Sequence, residues 1–282
     1  LNQPLSINVP NATPGRFFLV SGRPLAEGQG MSTVPSLDLV PGHGAAPIAV
    51  HRLGSGPPVV MIHGLASSAQ VNWIRYGHAA ALAAAGFEAV MLDLRAHGQS
   101  AAPHDPAAYP HDVAVLDIEA VLATLDLGPI DLVGYSLGSR MSVKLVARGL
   151  TPRRLILGGM GFETLTRWIP RRDQFLTMFD RFETSKIGDE DYLSIQFMKT
   201  MKADPIAMRL LLESTSDIAP ELLDAATMPT LILAGSEDAE VGSPQLLAEK
   251  MPNAQFNYVP GNHMSCVTKP ELGQAIAAYL AT

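Results

Sequence analysis

Short apolar runs alternate along most of this chain with longer stretches whose apolar residues recur every three or four positions. Residues 36–40 and 48–53 read as a pair of strands around the turn-rich 41–44, and further strand-like runs stand at 57–62, 87–92, 130–135, 154–159, 230–235 and 255–259. Between them, 72–85 (stopped by Gly86), 113–125, 141–148, 244–251 and 270–280 carry helical spacing, the last with Thr268 near its N-cap and Pro270 in its first turn. Strands alternating with helices in this way predict an α/β fold with a mostly parallel central sheet covered on both faces. The alternation stops between 162 and 222. There Phe175, Met178, Phe179 and Phe182, then Leu193, Phe197, Met198 and Met201, recur at helical spacing with no convincing strand. The organisation expected is an extended arm over 1–35, with Met31 a candidate natural start, a core formed by 36–161 and 223–282, and a helical insertion over 162–222.

Composition narrows the classes. With 282 residues the chain can bury a core without covalent staples, and 47% hydrophobic against 17% charged residues is ordinary for a globular protein. A net charge of -7 gives no polyanion-binding surface, so nucleic acid is a poor partner. The richest apolar stretch, 79–94, is broken by Gly86, Glu88 and Asp93, and no run has membrane-spanning length. The first apolar run, 17–20, is too short for a secretory signal, which makes a cytoplasmic location the expectation. The one cysteine, Cys266, forms no internal disulfide and is expected to be a buried or half-buried thiol.

The chemistry concentrates where strands end. The run 130–135 passes through Gly134-Tyr135-Ser136-Leu137-Gly138 straight into a helical segment, so Ser136 sits in a sharp strand-to-helix turn with its hydroxyl exposed. Glycines two positions to either side leave room for the crossing backbones. Acyl transfer by a serine needs a base, a carboxylate to orient that base, and donors for the developing oxyanion. Asp238 follows the strand that ends at Gly235, and His263 follows the last strand; in a parallel sheet the carboxyl ends share one edge, where such residues can converge. Glu163, after the sixth strand, is the rival acid. His43, His51, His78, His104 and His111 fall in predicted turns or on helix surfaces, and no histidines have metal-ligand spacing, so no metal is expected.

With His63-Gly64, Asp93 to Ser100, Gly134 to Gly138, Gly235 to Asp238 and Gly261 to His263 each in place, the chain resembles the α/β-hydrolase superfamily from about residue 36 onward. The resemblance implies Ser136 as nucleophile, His263 as general base and acid, Asp238 as orienting carboxylate, and the amides of Leu65 and Leu137 as the oxyanion hole. It implies no cofactor. Two positions depart from the common pattern. Ser139 stands where many members have a second glycine, which suggests a slightly wider helix approach, and Ala96 and His97 fill the middle of the Asp93–Ser100 stretch, where Asp93, Arg95 and His97 are expected to be structural.

The insertion would then be a lid whose apolar face roofs the serine, with Asn72, Trp73, Trp168 and Met178 as candidate substrate contacts. Arg167, Arg171 and Arg172 read as a solvated basic edge. The expected activity is hydrolysis of a small or medium apolar carboxylic ester by a monomer or homodimer, acting on a small molecule and engaging neither nucleic acid nor membrane. A lactonase, a carbon–carbon-bond hydrolase or a cofactor-free haloperoxidase or perhydrolase would use the same three residues, and a ligand receptor could retain the scaffold.

Overall fold

The computed structural model describes residues 34–282; the expected arm over 1–35 lies, apart from its last two positions, outside the described residues. Eight strands, β1 (Ser36–Pro41), β2 (Pro47–Gly54), β3 (Pro58–Ile62), β4 (Glu88–Leu92), β5 (Asp131–Tyr135), β6 (Leu155–Gly158), β7 (Thr230–Gly235) and β8 (Ala254–Val259), form one sheet in the order β1-β2-β4-β3-β5-β6-β7-β8. β2 pairs antiparallel with both neighbours, and every pair from β4 across to β8 is parallel. This is the α/β-hydrolase fold. The strand order reverses at β3, which pairs directly with β5, so the loops leaving these two strands emerge side by side. A crevice at such a reversal, beyond the carboxyl ends of the strands, is where open α/β sheets bind ligands.

Strand periodicity builds two cores. Val60, Ile62, Leu132, Leu155 and Leu157 point to the face covered by α2 (Val113–Leu125), α3 (Leu137–Ala147) and α8 (Pro244–Lys250). Their alternates Val59, Met61, Val133, Ile156 and Leu233 point to the face covered by α1 (His78–Ala84) and α9 (Pro270–Leu280). A run apolar at every position is the consequence of burial on both sides.

Some boundaries differ from the sequence reading for identifiable reasons. The helix expected over 72–85 is divided into a π-helical turn, Gln70–Ile74, and α1, because Gly77 takes φ 81° between them. The helix after Ser136 begins at Leu137 rather than 141, since the serine itself forms the turn. As expected, Thr268 lies next to the N-cap of α9, which is Lys269, and Pro270 is in the first turn; the Thr268 hydroxyl donates back to the Ser265 carbonyl at 2.8 Å.

Between β6 and β7 stand α4 (Phe162–Thr166), α5 (Trp168–Asp180), α6 (Tyr192–Thr200) and α7 (Pro205–Ser214), with no strand among the described residues there. Phe179, Phe182, Ile195 and Met198 are buried against the α3 side of the sheet. Leu193, expected on that apolar face, is 80% exposed, because it stands two residues and thus about 200° around α6 from Ile195. Both ends of the insertion are tied to α3. The Arg140 guanidinium donates to the Thr164 carbonyl at 2.7 Å, while the Lys144 ammonium bridges Asp112 (2.5 Å) and the Ser216 hydroxyl (2.6 Å). Among the described residues, no helix is long and apolar enough to cross a membrane.

Candidate active site

Ser136 has φ 53° and ψ −112°, a conformation that a residue with a side chain adopts only when its surroundings hold it. They do so by close approach. A Cβ on Gly138 would lie 2.1 Å from the Ile62 carbonyl oxygen, and one on Gly134 would lie 2.4 Å from that of Gly138. Ser139 adds a tie where a looser approach was expected: fully buried, its hydroxyl lies 2.9 Å from the Gly134 carbonyl and 2.8 Å from that of Gly158.

Because β5, β7 and β8 are parallel, the turns after β7 and β8 open at the same edge as Ser136. The turn after β8 is a compact loop in which the Asn262 side-chain carbonyl accepts the amides of Met264 (3.1 Å) and Ser265 (2.9 Å). From it His263 extends back over the end of β6. Its Nδ1 is 2.8 Å from Asp238 Oδ2 and its Nε2 is 3.0 Å from Ser136 Oγ. The Asp238 side chain is 1% exposed and that of His263 26%, so the acid is enclosed while the imidazole faces the opening. With the ring N–H donated to the carboxylate, Nε2 is left as an acceptor for the serine proton. Glu163, the rival acid, is used elsewhere: its carboxylate accepts the Ser243 amide at 2.7 Å.

The other side of Ser136 is formed by the turn after β3. Gly64 packs so near that a Cβ there would be 3.2 Å from the Ser136 Cβ. The turn is held by buried polar side chains. His63 donates from Nδ1 to the Gly64 carbonyl at 2.7 Å and accepts the Leu94 amide at Nε2 at 3.0 Å. His97 likewise donates from Nδ1 to the Arg95 carbonyl (2.9 Å) and accepts the Ala66 amide (3.0 Å). Both rings must be neutral to accept these amides. Burial drives the His63 pKa down, and burial, reinforced by neighbouring His63, takes that of His97 down to about 3. Asp93 accepts the amides of Ala69 (2.7 Å) and Gln99 (2.8 Å). Burial alone would raise its pKa; the hydrogen bonds from His51 and from these amides more than offset that and leave it lowered. Arg95 makes a two-pronged pair with Asp117, at 2.8 and 2.6 Å. The amides of Leu65 and Leu137 make no hydrogen bond among the described residues, whereas their neighbour Ala66 is occupied by His97.

The expected substrate contacts fare differently from the three central side chains. Asn72 is buried, and its Oδ1 accepts the Gly64 amide at 3.2 Å, so it braces the turn. Trp73 is fully buried in the α1–α9 core, edge-on to Tyr135 with centroids 6.5 Å apart; it supports the site from behind the sheet and is no substrate contact. Trp168 is buried too, its ring covered by the Arg140 guanidinium at 4.7 Å. Met178 is half-buried at the margin of the other core, which holds Trp168 and Leu137. The two tryptophans have thus gone to packing, the commoner fate of large rings. Arg171 and Arg172 are paired with Glu240 and Asp173 at 2.7 and 2.8 Å.

His51 and His78, expected in turns or on helix surfaces, stand in β2 and at the start of α1, and both are buried: His51 lies 3.4 Å from Asp93, and His78 donates to the Val267 carbonyl at 2.7 Å. The residue before Ser136 holds a further functional group. Sequence reasoning passed over this residue, Tyr135, whose hydroxyl donates to the His263 carbonyl at 2.6 Å and lies 2.9 Å from the Cys266 sulfur. The period of two, which sends Tyr135 and Val133 to the same face, was the available signal. No cluster of side chains suited to a metal occurs among the described residues.

Comparison with known proteins agrees with this architecture. A family model described as the alpha/beta hydrolase fold matches residues 57–182. The chain is 26% identical over 212 residues to AB hydrolase superfamily protein YisY of Bacillus subtilis (strain 168), covering 67% of this chain and 77% of that one. Among solved structures it is similar to the esterase EaEST from Exiguobacterium antarcticum, with TM-score 0.71, 18% identity and coverage of 86% of this chain and 99% of the other. It is also similar to a bromoperoxidase from Bacillus anthracis, with TM-score 0.64, 21% identity and coverage of 88% and 100%. Taken with the strand order and the turn at Ser136, these matches show that the chain has the α/β-hydrolase fold, with the family's sequence pattern over residues 57–182.

Proposed function

We propose that this protein is a serine hydrolase that cleaves a small or medium apolar carboxylic ester through an acyl-enzyme. The observation that carries the reading is the continuous relay of Asp238, His263 and Ser136, with contacts of 2.8 and 3.0 Å. His263 Nε2 takes the Ser136 proton as Oγ attacks the ester carbonyl, and the oxyanion forms toward the amides of Leu65 and Leu137. When the tetrahedral species collapses, the C–O bond to the alcohol breaks and His263 returns the proton to that alcohol. A water then repeats the sequence on the acyl-serine, giving the acid and the free hydroxyl. Asp238 holds the Nδ1–H and stabilises the imidazolium while it exists.

The chemistry needs no cofactor. The free amides at Leu65 and Leu137, beside a strained serine, supply the electrostatic complement expected of such a site. The apolar residues of α4 to α7, which share a core with Leu137, favour an apolar acyl or alcohol group and the role of a lid. That a structural relative is an esterase is consistent with the ester reading. The protein is proposed to act on its substrate in the cytoplasm as a monomer or homodimer.

The test is turnover of short p-nitrophenyl esters beside a lactone and a peracid-forming assay. Wild type should hydrolyse the esters fastest, and Ser136→Ala should reduce the rate by about 10⁴-fold or more without changing the fold. Undiminished turnover by Ser136→Ala removes the serine from the mechanism, and a preference for lactone or peracid chemistry moves the substrate class.

A further inference from the structure

We infer that Tyr135 is a positioning residue for His263: its hydroxyl, flanked by the Cys266 thiol, fixes the backbone carbonyl of His263 and thereby the reach of the imidazole to Ser136. The inference rests on the hydrolase reading above and adds a component that reading does not require.

His263 stands on a surface turn whose neighbours Asn262 and Met264 are exposed, the kind of segment that moves most readily. A general base must nonetheless be held within about 0.5 Å of its productive position. Asp238 and Ser136 restrain the ring, but neither restrains the backbone that carries it. The Tyr135 hydroxyl does, at 2.6 Å from the His263 carbonyl oxygen. A phenol has one proton, and here it is given to that carbonyl. The Cys266 thiol, 2.9 Å from the Tyr135 oxygen and 3.7 Å from the His263 carbonyl oxygen, has one proton and both as acceptors, so it lies against both ends of the Tyr135–His263 bond.

The phenol ring is itself clamped. Trp73 meets it edge-on at 6.5 Å and 83°, and the ring lies so close to the end of β6 that a Cβ on Gly159 would be 2.8 Å from the Tyr135 Cζ and 3.1 Å from the His263 Cε1. Burial pushes the phenol pKa well up, so the hydroxyl keeps its proton at neutral pH. Tyr135 is also the residue immediately before Ser136. One rigid strand end thus carries the nucleophile on its backbone and the anchor of the base on its side chain, and a shift of the elbow moves both together.

The variant is Tyr135→Phe, which removes the hydroxyl and keeps the ring. Steady-state kinetics on a p-nitrophenyl ester, the rate of labelling by a fluorophosphonate, thermal unfolding and the proton spectrum of the His263 Nδ1–H are compared with wild type. A positioning role predicts a fall in kcat of about 10- to 100-fold with KM within about twofold, slower labelling, and a broadened or lost Nδ1–H signal. A lowered Tm with kcat and the Nδ1–H signal unchanged makes Tyr135 an ordinary core residue and overturns the inference. Should Tyr135→Phe not fold, Cys266→Ala carries the test: kcat is expected to fall about threefold, and no change overturns the inference. A wild type that neither turns over esters nor takes the label fails the hydrolase reading itself, whereas an active wild type matched by its variant fails this inference alone.

Discussion

Two loops hold Ser136 between them, and each contains buried or half-buried histidine, yet the two are built for opposite purposes. In the turn after β3 with its supporting segment 93–100, His63 and His97 bond only to backbone, each giving one proton to a carbonyl and taking one amide. In the turn after β8, His263 bonds to a carboxylate on one side and a hydroxyl on the other. A histidine with two backbone partners is a strut whose charge state cannot change without breaking the structure. One between an acid and a hydroxyl can accept a proton and lose nothing. Partners, more than burial, distinguish the residue that shapes the site from the residue that can do chemistry in it.

The largest effect that tests this contrast is expected at the carboxylate. Asp238→Asn should leave the fold intact and lower kcat/KM by about 10³- to 10⁴-fold, because the amide no longer holds His263 in the tautomer that presents a bare Nε2. Steady-state kinetics read it; a loss under tenfold would mean that another group orients the ring.

A middle-sized effect is expected at the struts. His97 has a pKa near 3 in the folded chain against an ordinary 6.5, so below pH 6.5 the unfolded chain binds a proton that the native state refuses. The stability it supports is complete above pH 6.5 and is lost progressively as the pH falls toward 3, by about 1.4 kcal/mol per pH unit at most. His63 and His78, also lowered, act in the same direction. Urea unfolding at pH 7 and pH 5 should show wild type weakening with acid. His97→Gln should be less stable at pH 7 by about 1–3 kcal/mol, from the orphaned Ala66 amide, and should depend less on pH. An unaltered pH dependence would mean that His97 is not the buried neutral strut described.

The smallest effect is a control on the acid. Glu163 accepts the Ser243 amide and has no part in the relay, so Glu163→Gln should change kcat/KM by no more than about twofold. A loss comparable to that of Asp238→Asn would reassign the carboxylate.

Much of this architecture is legible in the chain. Strands buried on both faces must be apolar throughout, so β3, β5, β6 and β7 announce themselves, and a parallel sheet brings their following residues to one edge. Ser136 and Asp238 could be singled out because each stands just after such a run, whereas His263 follows β8, an edge strand exposed at Gln255, Asn257 and Tyr258, and is marked only by the Gly261-Asn262-His263 turn. What stayed hidden depends on contacts that local pattern does not carry. Whether His51 or His78 is buried is decided by partners at Asp93 and Val267, the latter 189 residues distant. Trp73 and Trp168 lie close to motifs along the chain, but their large rings were drawn into the two cores. The anchoring of the insertion by Arg140 and Lys144 was equally obscure, since a buried charge reads from sequence as a solvated one until its partners are known: the Thr164 carbonyl and the Trp168 ring for Arg140, Asp112 for Lys144. Tyr135 escaped notice because its neighbour in the motif carries the obvious chemistry.

The central claim, that the hydroxyl of Ser136 is made reactive by His263, is tested most directly by mapping the site of a fluorophosphonate adduct by mass spectrometry in wild type and in His263→Ala. The account predicts a single adduct on the peptide containing Ser136, with labelling slowed at least about 10³-fold in the variant. An adduct on any other residue, or equal labelling of the two proteins, would contradict it.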